Sequence, residues 1–430
     1  MASTLRATLT VAGATAAFFC TVGFVNAFGV FQQYYKATTL AANSDSDISW
    51  IGSVSIFFLY ALAPVAGVLV DRVGPTWLLL GGSLCQLLAV FLTSLCRRYY
   101  QLFLAQAVLL GVGMAFVTWP PVGVVGRALP NRRGLALGVV VGGSSLGGVV
   151  WPIMLERLLL HRGDGEGGLG FGWVMRIVGF TMLPLLAFAC ATVRERKDGE
   201  VVLSGGMSDG SDTVVAAEET TDDGAAGGEK RGPRSEIWTL MGNKVFIFLS
   251  LGLAVGYIGM FIPFFYISSY ATEKGVTPET SFYLISILNG ASLVGRVLPG
   301  HLADRWGHYN LIIAAMFAST VVAFAWTAAT SLAGVVVVAV AYGFASGAVL
   351  SLQGACVTKI ASREMQGSAM GLLMGCLAVT TLIGTPVGGA ILARYGYLSL
   401  SMFTGATMLV GSILLVVSRL ILDRRLGASV

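Results

Sequence analysis

Twelve long apolar stretches run along this 430-residue chain, and they constrain its fold more than any other feature. Each has about 20 residues, the length of α-helix that crosses ~30 Å of hydrocarbon. The stretches, numbered here as spans 1 to 12, cover residues 11–35, 50–70, 76–95, 101–121, 134–155, 172–192, 245–267, 281–302, 309–328, 332–354, 367–391 and 397–417. They predict an all-α membrane protein with 12 transmembrane helices in two pseudo-symmetric six-helix bundles.

The composition excludes most soluble classes of protein. Apolar residues make up 55% of the chain and charged residues only 11%, whereas a soluble globular protein has about 25% charged residues. The three histidines and six cysteines do not have the spacing of metal ligands, so we expect neither a metal site nor a cofactor. The sequence offers no group of nucleophile, base and metal ligand, and we therefore do not expect an enzyme.

Positive residues are unevenly distributed between the loops. If both termini lie in the cytoplasm, 18 of the 27 Lys and Arg residues fall on the cytoplasmic side and seven on the opposite side. Cytoplasmic loops of membrane proteins carry such an excess. We therefore expect cytoplasmic termini, and the net charge of +5 reflects orientation in the membrane rather than a nucleic-acid partner.

Residues 194–240 differ in composition from the rest of the chain. They carry 11 acidic and 6 basic residues, many Gly, Ser and Thr residues and almost no aromatic ones. Such a segment cannot bury enough apolar area to fold by itself. We expect a disordered acidic cytoplasmic linker here, between an N-terminal bundle of residues 1–193 and a C-terminal bundle of residues 241–430.

A repeat with a constant offset relates the two bundles. The segment 67–74 (GVLVDRVG), which follows span 2, matches the segment 300–307 (GHLADRWG), which follows span 8, and the matching residues lie 233 positions apart. Glycines of spans 5 and 11 are related by the same offset. Two halves in the same membrane orientation are the plan of transporters with parallel repeats.

Glycine pairs with GxxxG spacing occur in span 5, namely Gly138 with Gly142 and Gly143 with Gly147. This spacing lets helix backbones approach one another closely. The pairs predict close helix packing, and their recurrence in span 11 slightly favours a role in gating over simple packing.

The paired GxLxDRxG element resembles the loop signature of the major facilitator superfamily. This resemblance implies a secondary transporter that works by alternating access. It also implies that Asp71 and Arg72 in the first half, and Asp304 and Arg305 in the second, bind neighbouring helix ends when the cytoplasmic gate is closed.

Further segments resemble the monocarboxylate porter branch of that superfamily, especially its fungal members. They are residues 19–32, 48–53, 132–136, 143–152 and 288–300. Lactate carriers of this branch pair a carboxylate with an arginine one turn apart in span 8. In this sequence Ser292 stands one turn before Arg296, which argues against proton-coupled lactate transport of that type.

Arg296 is the strongest candidate for a substrate-binding residue. It lies about six residues from the cytoplasmic end of span 8, or ~9 Å deep, where a charge requires a partner or a water-filled cavity. Asn289 and Ser292 share its helical face. By family resemblance the arginine would bind an anionic group; the alternative is that it bonds backbone carbonyls or Asp304 and braces the helix.

Polar residues in other spans are expected to line the same cavity, namely Asn26, Tyr257 and Gln353. For Asn26 and Gln353, an equally strong alternative is that they hold helices together. Apart from the loop aspartates, the carboxylates close to span interiors are Glu156 and Glu364. Neither is placed for a proton relay at the midplane, so facilitated diffusion and coupling through another group both stay open.

These features predict a secondary transporter of a small organic anion that works by alternating access and exports a carboxylate-bearing compound or secondary metabolite. Its expected partners are this anion, the lipid bilayer and protons, with no nucleic acid. We expect it to act as a monomer in the plasma membrane. Two alternatives stay open: an uptake permease for a monocarboxylate or vitamin by proton symport, and a nutrient sensor that does not transport.

Overall fold

The computed structural model describes residues 2–128, 133–160, 169–194, 240–361 and 366–425, and the regular secondary structure of these residues is entirely helical. The helices of the first half are Ala2–Cys20, Val22–Asn26, Phe28–Ala37, Asp45–Ala61, Ala63–Val73, Pro75–Thr93, Tyr99–Leu102, the π-helix Phe103–Leu109, Leu110–Ala128, Arg133–Leu160 and Phe171–Thr192. Those of the second half are Lys244–Met260, Ile262–Glu273, Pro278–Trp306, His308–Ala325, the 3₁₀-helix Trp326–Ala328, Leu332–Ile360 and Gln366–Leu422. The prediction of an all-α fold is confirmed.

Eleven of the described segments are long and apolar enough to cross a membrane. The last of them, Ala369–Leu422, has 54 residues and would measure ~81 Å as a single helix, far more than a hydrocarbon layer of ~30 Å. Gly396 interrupts it with a φ of 75° and a ψ of −177°. This break falls between predicted spans 11 and 12, so the structure accommodates twelve crossings.

Successive spans run in opposite directions, and their ends define two sides of the molecule. The side that carries Leu5, Val193 and Lys244 is named the linker side, and the opposite side the far side. The predicted linker, residues 194–240, lies outside the described residues except at its two ends.

The backbone repeats at the two GxLxDRxG segments. Gly74 has a φ of 88° and a ψ of 154°, and Gly307 has a φ of 88° and a ψ of 140°. Each ends one helix and directly precedes the next. Side chains with a Cβ rarely adopt this conformation, which explains why glycine occupies both positions. The two halves therefore share the same turn at the repeat predicted from the sequence.

Spans 1 and 7 are broken rather than straight. Span 1 breaks at Ala27 and span 7 at Phe261, at nearly repeat-related positions. Pro263 follows the second break, and proline has no N–H group to continue the helical hydrogen bonds. Asn26 directly precedes the first break, and Tyr257 lies one turn before the second. The breaks therefore fall beside two candidate site residues.

Glycines allow span 1 to pack closely against span 5. A Cβ atom on Gly147 would lie 2.6 Å from the carbonyl oxygen of Phe19, and one on Gly23 would lie 2.8 Å from the Cα of Gly147. The indole of Trp151 donates a hydrogen bond of 2.9 Å to the same Phe19 carbonyl. By contrast, apart from its chain neighbours and its own helical backbone, no described atom lies within 4 Å of a Cβ built on Gly138. Of these two predicted glycines of span 5, only Gly147 packs tightly.

Spans 2 and 11 join the two halves toward the far side. The Ser46 hydroxyl donates a hydrogen bond of 3.1 Å to the Pro386 carbonyl. Nearer the middle of the two spans, the hydroxyls of Ser53 and Thr385 hydrogen-bond each other across the same interface. All four residues lie in the far-side portions of their spans, so the halves are in direct contact there.

Candidate functional site

Arg296 lies on the helix Pro278–Trp306 and points at span 5 of the other half. Its side chain is buried, with 3% of its surface exposed. Nη1 donates a hydrogen bond of 3.1 Å to the carbonyl oxygen of Val141 and another to the hydroxyl of Ser144. The bonding to a backbone carbonyl that the sequence left open as an alternative is therefore present, and it links the two halves.

The hydrogen-bond partners of this arginine within the described residues are neutral. Among the described residues, the recorded ion pairs are Arg157 with Glu156 and Lys274 with Glu273. Neither involves Arg296, and the Nε atom of Arg296 has no hydrogen-bond partner within the described part of the chain. A buried cation that contacts only dipoles is poorly compensated. Such a group is chemically suited to bind an anion.

The polar face of span 8 continues from Arg296 toward the far side. Asn289 and Ser292 are fully buried. The Asn289 amide donates to the carbonyl of Ile285 in its own helix at 2.9 Å. The Oδ1 of Asn289 and the hydroxyl of Ser292 have no hydrogen-bond partner among the described residues. This face therefore presents unsatisfied polar atoms next to the arginine.

Tyr257 and Gln353 come together beside Arg296. The Tyr257 hydroxyl donates a hydrogen bond of 2.8 Å to Oε1 of Gln353, and Tyr257 is only 1% exposed. Arg296 lies within electrostatic reach of Tyr257. Asn26 is buried on span 1 with its Nδ2 atom unpartnered among the described residues, but no contact joins it to this group.

Sequence reasoning missed Tyr60 and the partners of Arg296 on span 5. Tyr60, on span 2, lies within electrostatic reach of Arg296, and its ring centroid is 6.4 Å from that of Tyr257. Trp119 packs against Tyr60, with ring centroids 6.2 Å apart. The one available signal was a lone tyrosine in an otherwise apolar stretch of span 2. Ser144 belonged to a segment noted only for its family resemblance.

The predicted gating residues lie where the sequence places them, at the linker-side ends of spans 2 and 8. Arg72 and Arg305 are exposed in the last turns of their helices, where a cation interacts favourably with the helix dipole. The side chains of Asp71 and Asp304 lie outside the described part of the structure. The predicted latch between these charges stays a prediction.

Glu156 is a second buried charge, at the far-side end of span 5. It is 1% exposed, and its Oε2 atom lies 3.7 Å from Nε of Arg157. Across the interface, the Tyr283 hydroxyl lies 3.5 Å from the same oxygen. Glu156 therefore lies at the contact between the halves, at the far-side end of span 5, whereas Arg296 lies toward the linker-side end of span 8. Glu364 lies outside the described residues.

Comparison with protein families matches the chain to the Major Facilitator Superfamily over residues 13–342 and 300–428. An MFS-type transporter of Aspergillus fumigatus is 53% identical over 424 residues, which are 97% of this chain and 93% of that protein. The agnestins efflux protein of Paecilomyces divaricatus is 43% identical, over 97% of this chain and 88% of its own length. The aspyridones efflux protein of Emericella nidulans is 34% identical, over 95% of this chain and 77% of its own length.

Among solved structures, a mutant of the nucleoside transporter NupG has a similar fold. Its TM-score is 0.68, and the match covers 95% of this chain and 99% of that one at 13% sequence identity. At this identity the likeness concerns the fold alone. The family match and the relatives, together with the apolar helices, show that this chain is a multi-pass membrane transporter that belongs to the Major Facilitator Superfamily.

Proposed function

We propose that this transporter exports a small organic anion, a carboxylate-bearing compound or other acidic secondary metabolite, and that Arg296 binds the acidic group. The observation that carries the proposal is a buried guanidinium whose recorded partners are a carbonyl and a hydroxyl. An anion would compensate the charge of Arg296 far better than these dipoles do. Asn289, Ser292, Tyr257, Gln353 and Asn26 would supply the remaining polar contacts.

Binding and conformational change are coupled through the same atoms. Nη1 of Arg296 holds Val141 and Ser144, which belong to the opposite half. An anion that accepts hydrogen bonds from Nη1 would replace those to Val141 and Ser144. This replacement would weaken the link between the halves. A ligand shifts a conformational equilibrium by as much as it favours one state over the other. Substrate binding would therefore favour the movement that alternating access requires.

Export is supported by the relatives. Several relatives are named as efflux proteins for secondary metabolites, including the agnestins and aspyridones proteins.

Within the superfamily, we assign the chain to the monocarboxylate porter-like branch, with two six-span bundles joined by residues 194–240. Asp71 with Arg72, and Asp304 with Arg305, would bind neighbouring helix ends on the linker side when the cytoplasmic gate is closed. We further propose a monomer in the plasma membrane with protons as coupling ion. Efflux driven by an imposed pH gradient, and absent without it, supports that coupling; equal efflux in both conditions contradicts it.

Affinity selection tests the proposed site. The purified full-length protein in nanodiscs is incubated with a fungal culture extract, and retained compounds are identified by mass spectrometry. Organic acids retained by the wild type should be lost from Arg296→Gln. The matched control is Arg176→Gln, which removes another arginine within a span; Arg176 is only half buried and stacks on Trp173 at 4.8 Å. Retention of the same acids by Arg296→Gln contradicts the proposal.

A further inference from the structure

Two aromatic rings, one from each half, lie within electrostatic reach of Arg296. Tyr60 on span 2 and Tyr257 on span 7 are buried, and their ring centroids lie 6.4 Å apart in an edge-to-face arrangement with an interplanar angle of 80°. Trp119 extends the group on one side, 6.2 Å from Tyr60, and Phe261 on the other, 5.8 Å from Tyr257. The aromatic group is therefore continuous across the interface between the halves.

We infer that the anion bound by this site carries a planar aromatic ring, which Tyr60 and Tyr257 hold while Arg296 binds the acidic group. The inference rests on the proposed function and adds the substrate class to it. Both tyrosines lie within electrostatic reach of Arg296. A ring and an acidic group of one compact molecule would therefore reach their partners together.

The position of the two tyrosines in opposite halves gives the ring pair a role in transport. Alternating access requires the halves to separate on one side, and the edge-to-face contact of Tyr60 with Tyr257 is then lost. A flat aromatic ring inserted between them restores contacts of the same kind on both sides. Pairs of aromatic rings gain binding free energy beyond that of the apolar area they bury. A saturated ring gains only the free energy of the buried area.

Unsatisfied polar atoms near the arginine indicate a ligand with further hydrogen-bonding groups. The hydroxyl of Ser292, the Oδ1 of Asn289 and the Nε of Arg296 are buried without a partner among the described residues. Buried polar groups in proteins are almost always hydrogen-bonded. Hydroxyl groups on the aromatic acid would satisfy them, so hydroxylated members of this substrate class should bind more tightly than unsubstituted ones.

Three probes with nearly the same skeleton separate the contributions of ring and charge. They are 2-naphthoate, its saturated analogue decahydro-2-naphthoate and the neutral amide 2-naphthamide, and their dissociation constants are measured on the full-length protein in nanodiscs. The wild type should bind 2-naphthoate roughly 2- to 12-fold more tightly than the saturated acid. Tyr60→Leu should bring this ratio close to one, and Tyr60→Phe, which keeps the ring, should preserve it.

A matched control replaces an aromatic residue of the same half away from the site. Phe91 pairs with Phe180 at 5.4 Å between spans 3 and 6, and Phe91→Leu should leave the ratio unchanged. Equal binding of both acids by the wild type, failure of the wild type to bind 2-naphthoate, or an unchanged ratio in Tyr60→Leu overturns the inference. Equal binding of 2-naphthamide and 2-naphthoate instead overturns the proposed anion site and leaves the role of the ring standing.

Discussion

At the scale of single residues, the site depends on how a buried cation is held before substrate arrives. Arg296 donates to Val141 and Ser144, which are dipoles rather than charges. Hydrogen bonds from an ionised donor stabilise a folded protein more than hydrogen bonds between neutral groups do. The hydroxyl of Ser144 is therefore expected to matter for the stability of the empty protein as well as for its movement.

Replacement of Ser144 by Ala tests this contact. Removing the hydroxyl leaves Arg296 with one recorded partner, and we expect the free energy of unfolding to fall by about 1.5–3 kcal/mol. Ser145→Ala is the control, because the Ser145 hydroxyl is buried without a hydrogen-bond partner in the described structure. Denaturant unfolding of both purified variants provides the measurement. If Ser145→Ala lowers the free energy of unfolding as much as Ser144→Ala does, the stabilising role assigned to the Ser144 hydroxyl is contradicted.

At the scale of helices, the positions of glycines determine which helix faces can pack closely together. Gly147 lies against the backbone of Phe19, whereas Gly138 of the same span has open space around it. Overfilling a packed interface commonly destabilises a protein by about 1–3 kcal/mol. We expect Gly147→Ala to lower the free energy of unfolding by about this amount. Gly138→Ala should leave it unchanged or raise it slightly, and similar losses in both variants would count against the packing described here.

The two repeat-related turns make a second prediction about elements. Gly74 and Gly307 share a backbone conformation that favours glycine, and beyond their chain neighbours no described atom lies within 4 Å of a Cβ on either. Their replacement by Ala should therefore destabilise through backbone strain alone, by about 1–3 kcal/mol each. Gly67→Ala and Gly300→Ala are repeat-related controls, since both glycines are helical and have open surroundings. Unequal losses at Gly74 and Gly307 would argue against equivalent turns.

The helices and their repeat were predictable because both signals are local. A stretch of 20 apolar residues identifies a span, and two copies of one motif identify related halves. The faces that meet between spans were not predictable, because they depend on how each helix is rotated about its axis. Tyr60 was missed for this reason, since only packing brings span 2 beside spans 7 and 8. The same holds for the approach of Ser144 to Arg296.

At the scale of the whole molecule, transport requires the far-side contact between the halves to open. Ser53 and Thr385 are short side chains whose hydroxyls hydrogen-bond each other across spans 2 and 11. This proximity is compatible with the Cβ separation of a disulfide. The six native cysteines are free, so none is already engaged in a disulfide.

A disulfide across this contact should stop transport. We expect oxidised Ser53→Cys/Thr385→Cys to lose efflux and to regain it on reduction, because the cross-link prevents separation of the halves on the far side. Each single cysteine variant serves as control and should respond little to oxidant. Transport by the fully cross-linked double variant at the wild-type rate would show that this contact does not open during the cycle.

The central claim is that Arg296 binds the exported anion, and efflux from vesicles tests it most directly. Proteoliposomes of wild type, Arg296→Gln and Arg176→Gln are loaded with an organic acid identified by affinity selection, and its release is followed over time. Loss of a charge-assisted contact of about 1.5–3 kcal/mol predicts a fall in efflux of roughly tenfold or more for Arg296→Gln. Arg176→Gln should transport like the wild type. Efflux through Arg296→Gln at the wild-type rate would contradict the account.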